Sequence, residues 1–366
     1  MKKRLLIFNP SIEDGGVEKN LFLISNFLSS KLSNVLLLSA DIDQKKGFSN
    51  KIKFIRPKFN ILKKSGRMLK YFFCLILLMI EILKDRKLVI LSFQANVYVI
   101  CLAKIFGVKV LSRSNTAPSG WSNNFLKRSL FKFFLAKADK IIVNSLDFKK
   151  ELDNRFNVKS VCIYNPFNIK QIKKKSKLKV KFDFFSKDKK SLKIINVARL
   201  TDQKDHYTLL KAFEILNYKR KSKLLIIGRG ENFEKLKFFI KEKKLQKFIK
   251  LIGYNKNPFP YVKLSDVFVL SSKFEGLPNV LLEAAYLKKP IISTNCPTGP
   301  REILLNGKMG KLIKVGDYKK LSEILIDFDK NSKETKNKIN MLKKKLKKYG
   351  YKKNCNKYLN LLKKYL

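Results

Sequence analysis

Apolar positions along the chain come in short, β-branched runs separated by segments of helical period, the pattern of βαβ units and of parallel sheets covered on both faces. The spacing predicts strands over 4–8, 34–38, 88–93, 108–112, 140–143 and 160–163, with helices starting near Val17, Leu62, Ala95, Asn124 and Asp147. It then predicts a second set of strands over 192–197, 223–227, 249–252, 267–270, 290–293 and 310–313. Beyond Val315 the chain turns helical and ends in 341–349 and 351–366, where Leu359, Leu361, Leu362 and Leu366 offer an apolar stripe. The expected fold class is α/β, with two doubly wound Rossmann-like domains facing a central cleft. Residues 1–169 form the first domain, Lys-rich 170–190 a linker and 191–345 the second. The stripe over 346–366 suits docking on either domain, and the helix is assigned to the first.

Length agrees, since 366 residues exceed what one hydrophobic core usually serves. The apolar run after Met1 stops at Asn9-Pro10, short of the roughly 7 to 15 residues of an export h-region, so it reads as the first strand. The longest apolar stretch, 71–80, falls short of the roughly 20 residues of a spanning helix. It reads as a buried helix or as one lying in a membrane interface beside Lys63, Lys64, Arg67 and Lys70.

Charge changes the picture of partners. Lys and Arg number 81 against 28 Asp and Glu, a net +53, while 45% of residues are apolar and 12% aromatic, enough to build ordinary cores. The segments 170–193 and 330–366 are the most basic. Clusters of this kind attract anionic lipid within a Debye length, or simply solvate surface helices. The single histidine, His206, excludes a multi-histidine metal site, and five scattered cysteines exclude a disulfide framework and fit a reducing cytoplasm.

Three stretches carry candidate chemistry. Gly15-Gly16-Val17-Glu18 sits between the first strand and its helix, where adjacent glycines and a helix N-terminus suit a phosphate, though the spacing is not a dinucleotide fingerprint. After the strand over 192–197 come Arg199 and Lys204, a forked guanidinium and an ammonium suited to a diphosphate. The most specific run is Glu275-Gly276-Leu277-Pro278-Asn279-Val280-Leu281-Leu282-Glu283. Its loop carboxylate suits sugar hydroxyls, its helix tip a phosphate and its second carboxylate a ribose diol.

With Val197-Ala198-Arg199-Leu200, Gly228-Arg229-Gly230-Glu231, Gly253-Tyr254 and Pro297-Thr298-Gly299-Pro300-Arg301-Glu302-Ile303 in the same order, the chain resembles the retaining glycosyltransferases of family 4, which have the GT-B fold. The resemblance implies that Arg199 and Lys204 neutralise the donor diphosphate, that Glu275 holds the transferred sugar and that Glu283 holds the ribose. Gly16 then contacts the diphosphate across the cleft, and Gly228, Gly276, Leu277, Asn279 and Val280 complete the nucleotide-sugar site. Arg199, Lys204 and Glu275 are the implied catalytic residues. A histidine that many relatives carry in the first domain has no counterpart in Leu111-Ser112-Arg113-Ser114-Asn115-Thr116. Arg113, Ser114 or Asn115, with Glu18, is therefore expected on the acceptor side.

The implied activity is transfer of a hexose or N-acetylhexosamine from a UDP-sugar to a lipid-linked or polysaccharide acceptor. No cofactor or metal is implied, and the expected place is the cytoplasmic face of the cell membrane, on anionic lipid. The Asp-x-Asp pairs Asp41/Asp43 and Asp327/Asp329 read as surface positions. A sugar-nucleotide epimerase of the same fold, or a basic module binding membrane or nucleic acid, are the alternatives, and no nucleic-acid partner is expected.

Overall fold

A computed structural model describes residues 3–12, 15–41, 47–58, 65–115, 125–186 and 190–366, the side chains of 125–128 and 186 excepted. The chain divides into two compact units, Met1–Pro166 with Tyr351–Leu366, and Phe167–Gly350. The first is built on a parallel sheet of β1 (Leu5–Phe8), β2 (Val35–Leu38), β3 (Ile52–Ile55), β4 (Val89–Ser92), β5 (Lys109–Arg113), β6 (Lys140–Val143) and β7 (Ser160–Cys162). Their spatial order is β3-β2-β1-β4-β5-β6-β7. Strand β3 is absent from the sequence expectation. It lies at the sheet edge, where one side is unpaired and Lys53 is exposed, so its four residues lack the continuous apolar run of the central strands.

Side chains alternate across this sheet with period two: Leu5 and Ile7 enter one core, Leu6 and Phe8 the other. The first core is closed by the helix Gly16–Ser29 and by the C-terminal helix Tyr351–Lys363, whose Cys355, Tyr358, Leu359 and Leu362 are buried among Leu21, Ile24 and Leu28. The second is covered by the helices Arg67–Lys84, Asn96–Ile105, Phe125–Ala136 and Leu146–Phe156. The expected helix starts Leu62 and Asn124 lie outside the described residues.

The second unit holds β8 (Leu192–Val197), β9 (Ser222–Ile227), β10 (Ile249–Ile252), β11 (Val267–Leu270), β12 (Ile291–Thr294) and β13 (Lys311–Ile313), all parallel, in the order β10-β9-β8-β11-β12-β13. The segment 170–190, expected as a linker, belongs to this unit. Phe182 and Phe185 are buried, Phe182 meets the Tyr261 ring edge-on, and Asn257 Nδ2 donates to the Lys175 carbonyl at 3.0 Å. Two buried phenylalanines anchor what the lysine count made to look solvated. The unit also runs past residue 345, because Leu346 and Tyr349 are buried and Phe167 N donates to the Tyr349 carbonyl at 2.9 Å.

Strand order reverses between β1 and β4 in the first sheet and between β8 and β11 in the second. In open α/β sheets such a point leaves a crevice beyond the strand carboxyl ends where ligands bind. The loops after β8 and β11 are therefore the ones to inspect.

Candidate functional site

The loop after β8 lies backbone to backbone on the loop after β9. Ala198 N donates to the Ile227 carbonyl at 3.1 Å and Leu200 N to the Arg229 carbonyl at 2.8 Å. A Cβ on Gly228 would stand 1.8 Å from the Ala198 oxygen, so only glycine fits there. The chain then makes a short 3-10 turn, Asp202–Lys204, and enters the helix His206–Lys219 through Asp205, whose carboxylate accepts the Thr208 hydroxyl at 2.6 Å.

This turn aims Lys204 at the loop after β11. Its Nζ lies 2.5 Å from Glu275 Oε1, and both side chains are largely buried. Ser272 Oγ donates to the same carboxylate oxygen at 2.7 Å, and Thr298 Oγ1 donates to the Glu275 carbonyl at 2.5 Å. Gln203 fastens the two loops. Its Nε2 donates to the Phe274 carbonyl at 2.9 Å, its carbonyl accepts from Lys273 N at 2.8 Å, and its Oε1 accepts from the exposed Arg199 guanidinium at 3.2 Å. Arg199, Lys204 and Glu275 are thus gathered at one end of the second sheet. The supports Gln203 and Thr298 escaped the sequence reading because their partners lie 71 and 23 residues away, and Ser272, three residues before Glu275, carries no mark of its own.

Past Glu275 the chain runs through buried Gly276 and Leu277 into the helix Asn279–Tyr286, with Pro278 as a cap that has no side-chain hydrogen bond to give. Asn279 and Val280 form the half-buried first turn, and Glu283 lies in the second turn, buried beside Leu282 and Ala284. Gly299, at φ 88°, presses on this segment: a Cβ there would stand 2.1 Å from the Gly276 oxygen.

Beneath the site, Asn196 at the end of β8 donates through Nδ2 to the Val269 carbonyl at 2.9 Å, and its Oδ1 meets His206 Nε2 at 3.1 Å. Burial, and then the Lys204 charge, lower the His206 pKa to about 4, so the ring is a neutral structural group. Cys296 is buried, and burial followed by the Glu275 carboxylate pushes its thiol up to about 12, which makes it inert. Arg229 packs over the Tyr254 ring at 5.1 Å, joining the two loops singled out as flanking a base.

In the first unit, Gly16 opens the helix after β1, and the Glu18 carboxylate folds back over the N-cap, where a Cβ on Gly15 would stand 2.7 Å from Oε2. Glu18 is buried at the helix tip, a position that favours an acidic group on electrostatic grounds. The structure puts Arg113 in the core rather than on an open surface. Fully buried at the end of β5, it donates from Nε to Tyr358 Oη at 2.9 Å and from Nη2 to Asn165 Oδ1 at 2.7 Å, and it stacks over Phe93. Ser114 is buried with its N bonded to the Ile142 carbonyl, and Asn115 Nδ2 donates to the Phe93 carbonyl at 3.0 Å.

Among the described residues no group of His, Cys, Asp and Glu is arranged to hold a metal. Asp41 is occupied by Ile12 N and Lys70, Asp43 lies outside the described residues, and Asp329 accepts from Asn331 N.

Residues 179–353 match the family model described as glycosyl transferases group 1. The chain is 39% identical over 178 residues to an uncharacterised glycosyltransferase of Methanocaldococcus jannaschii, covering 48% of this chain and 44% of that protein. Over 254 residues it is 30% identical to the N-acetylgalactosamine-N,N'-diacetylbacillosaminyl-diphospho-undecaprenol 4-alpha-N-acetylgalactosaminyltransferase of Campylobacter jejuni, covering 66% of this chain and 67% of that one. The crystal structure of Anabaena HepE in complex with UDP and glucose superposes with a TM-score of 0.76 over 99% of this chain and 100% of that one, at 15% identity.

Proposed function

Because the chain belongs to the group 1 glycosyl transferases and has the GT-B fold, we propose that it is a retaining transferase of the family 4 type. It moves a hexose or N-acetylhexosamine from a UDP-sugar to a lipid-linked or polysaccharide acceptor in cell-surface glycan assembly. The observation that carries this reading is the Lys204–Glu275 pair at the β8/β11 reversal, with Arg199 tied to the same loop through Gln203. The Campylobacter relative is named for transfer to a diphospho-undecaprenol-linked glycan, and the Anabaena neighbour holds UDP and glucose, which supports the donor and acceptor classes.

In this reading the donor diphosphate takes the cationic ends of Arg199 and Lys204, and Glu275, released from Lys204, accepts hydroxyls of the transferred sugar. Glu283 takes the ribose diol, and the amide tip of the helix Asn279–Tyr286 faces the phosphate. The acceptor hydroxyl attacks the anomeric carbon on the face from which the diphosphate departs. The bond from that carbon to the β-phosphate oxygen breaks, and that oxygen takes the acceptor proton. The two cations supply the charge that stabilises the leaving group as it develops. The donor carries its own activated bond, so no cofactor is required, and a lipid-linked acceptor places the work at the cytoplasmic face of the cell membrane.

The test is calorimetric titration of the full chain with UDP-, GDP- and ADP-sugars. Turnover with a polyprenyl-diphosphate sugar follows, with product anomeric configuration read by NMR. Heat with a UDP-sugar and a retained anomer are expected; silence with every activated sugar would end the proposal.

A further inference from the structure

The helix Arg67–Lys84 is apolar on two opposite sides. Cys74, Leu78 and Ile82 are buried in the first unit, while Met68 is 67% exposed, Phe72 59% and Leu83 55%. At about 100° per residue, those three and Ile76, Met79 and Ile80 fall within an arc of roughly 120° on the outer side. The helix Asn96–Ile105 packs beside it and the helix Phe125–Ala136 beside that, and they add Tyr98, Ile105, Leu130 and Phe133 to the exposed apolar side chains. So many large apolar groups on neighbouring helices exceed the scattered exposure normal for a soluble surface. None of these helices is long and apolar enough to cross a bilayer.

The charges beside these residues select the occupant. The three helices carry seven Lys and Arg (three, one and three) against one carboxylate, Glu81. Glu81 is buried and neutralised, its Oε2 3.2 Å from Arg4 and its Oε1 2.8 Å from Lys84. Lys70 pairs with Asp41 at 2.7 Å and Lys104 with Asp139 at 2.6 Å, so the exposed side offers apolar side chains beside the exposed Arg67, Lys84 and Lys132, with no exposed acid on the helices themselves. Stems of Arg67, Lys84 and Lys132 can lie along apolar surface while their heads reach outward. A helix with that make-up lies in the headgroup region of an anionic bilayer, apolar side down.

We propose that the outer side of the helix Arg67–Lys84, extended by its two neighbours, is the surface by which this protein docks on an anionic phospholipid membrane. The proposal deepens the reading of a lipid-linked acceptor and rests on it for its purpose. Its geometry is independent of that reading and is tested separately.

The full chain is floated with vesicles of phosphatidylcholine alone and with about one third phosphatidylglycerol. Association with the anionic vesicles only, falling at least tenfold between low and high salt, is expected. The double variant Phe72→Ser/Met79→Ser should weaken it at least tenfold while melting as the parent does and giving the same heat with UDP-sugar. Lys84→Gln/Lys132→Gln should flatten the salt dependence. No association at low salt overturns the proposal, as does association indifferent to both double variants. Concentration-dependent dimerisation that Phe72→Ser/Met79→Ser abolishes also overturns it, by assigning the face to a second copy. Vesicle binding without sugar-nucleotide heat would sink the enzymatic reading and leave the docking surface standing.

Discussion

Arg113 and Tyr358, separated by 245 positions, meet in the core of the first unit, where the guanidinium Nε donates to the phenol oxygen at 2.9 Å and Nη1 finds no hydrogen-bond partner. This bond ties the C-terminal helix to the sheet that the N-terminal half builds. Removing only the acceptor strands a buried donor, so Tyr358→Phe should cost about 1–3 kcal/mol in denaturant unfolding. Adding Arg113→Met removes the stranded charge, and the double variant should be less destabilised than the sum of the two singles. Strict additivity would show that the bond carries no coupling.

The same pair shows where the sequence was legible. Central strands such as β1 and β4 are buried on both faces and read as continuous apolar runs, so every strand of both sheets except the edge strand β3 could be placed in advance. The carboxylates Glu275 and Glu283 stood out because Gly-Leu-Pro-Asn follows the first of them. Contacts set by strand order did not stand out: Lys204 meets Glu275 only because β8 and β11 are neighbours. Arg113 is expected on the acceptor side because its segment lines up with a family histidine, and its bonds to Tyr358 and Asn165, 245 and 52 positions away, have no local mark in the sequence.

Arg199 is exposed and, among the described residues, its guanidinium bonds to Gln203, so Arg199→Ala should leave the melting temperature within about a degree or two, as surface changes usually do. If its charge stabilises the departing diphosphate, turnover should fall by about 100- to 1000-fold. Steady-state kinetics on the folded variant decides this, and undiminished kcat would remove Arg199 from the mechanism.

Lys204→Met leaves the Glu275 carboxylate buried with the Ser272 hydroxyl donating to it but no cation beside it, which should destabilise the second unit by about 3–5 kcal/mol. Lys204→Met/Glu275→Gln should recover part of that loss, though not activity. Equal stability of the single and double variants would mean that the pair is already solvated.

Gly299→Ala places a methyl 2.1 Å from the Gly276 oxygen at a backbone angle that L-residues rarely adopt. Neither atom belongs to a flexible side chain, so the loop carrying Glu275 must shift. Loss of soluble protein or of at least about 2 kcal/mol is expected, whereas Gly66→Ala, with open space around its Cβ position, should be silent. Limited proteolysis and melting curves separate the two outcomes.

His206 gives the protein a pH dependence whose sign is fixed. Its pKa is held at about 4 in the folded chain, by burial and by the charge of Lys204, against 6.5 in the absence of those effects. Between those values the unfolded chain binds more protons, so stability rises with pH across the window and is lost as pH falls from about 6.5 toward 4. The full swing corresponds to about 3 kcal/mol. His206→Gln, which can still donate to Asn196 Oδ1, should flatten the dependence between pH 4.5 and 6.5 without changing stability at pH 7.5 by more than about 1 kcal/mol. Urea unfolding at a series of pH values is the measurement, and identical slopes in parent and variant would show that carboxylates elsewhere govern the acid limb.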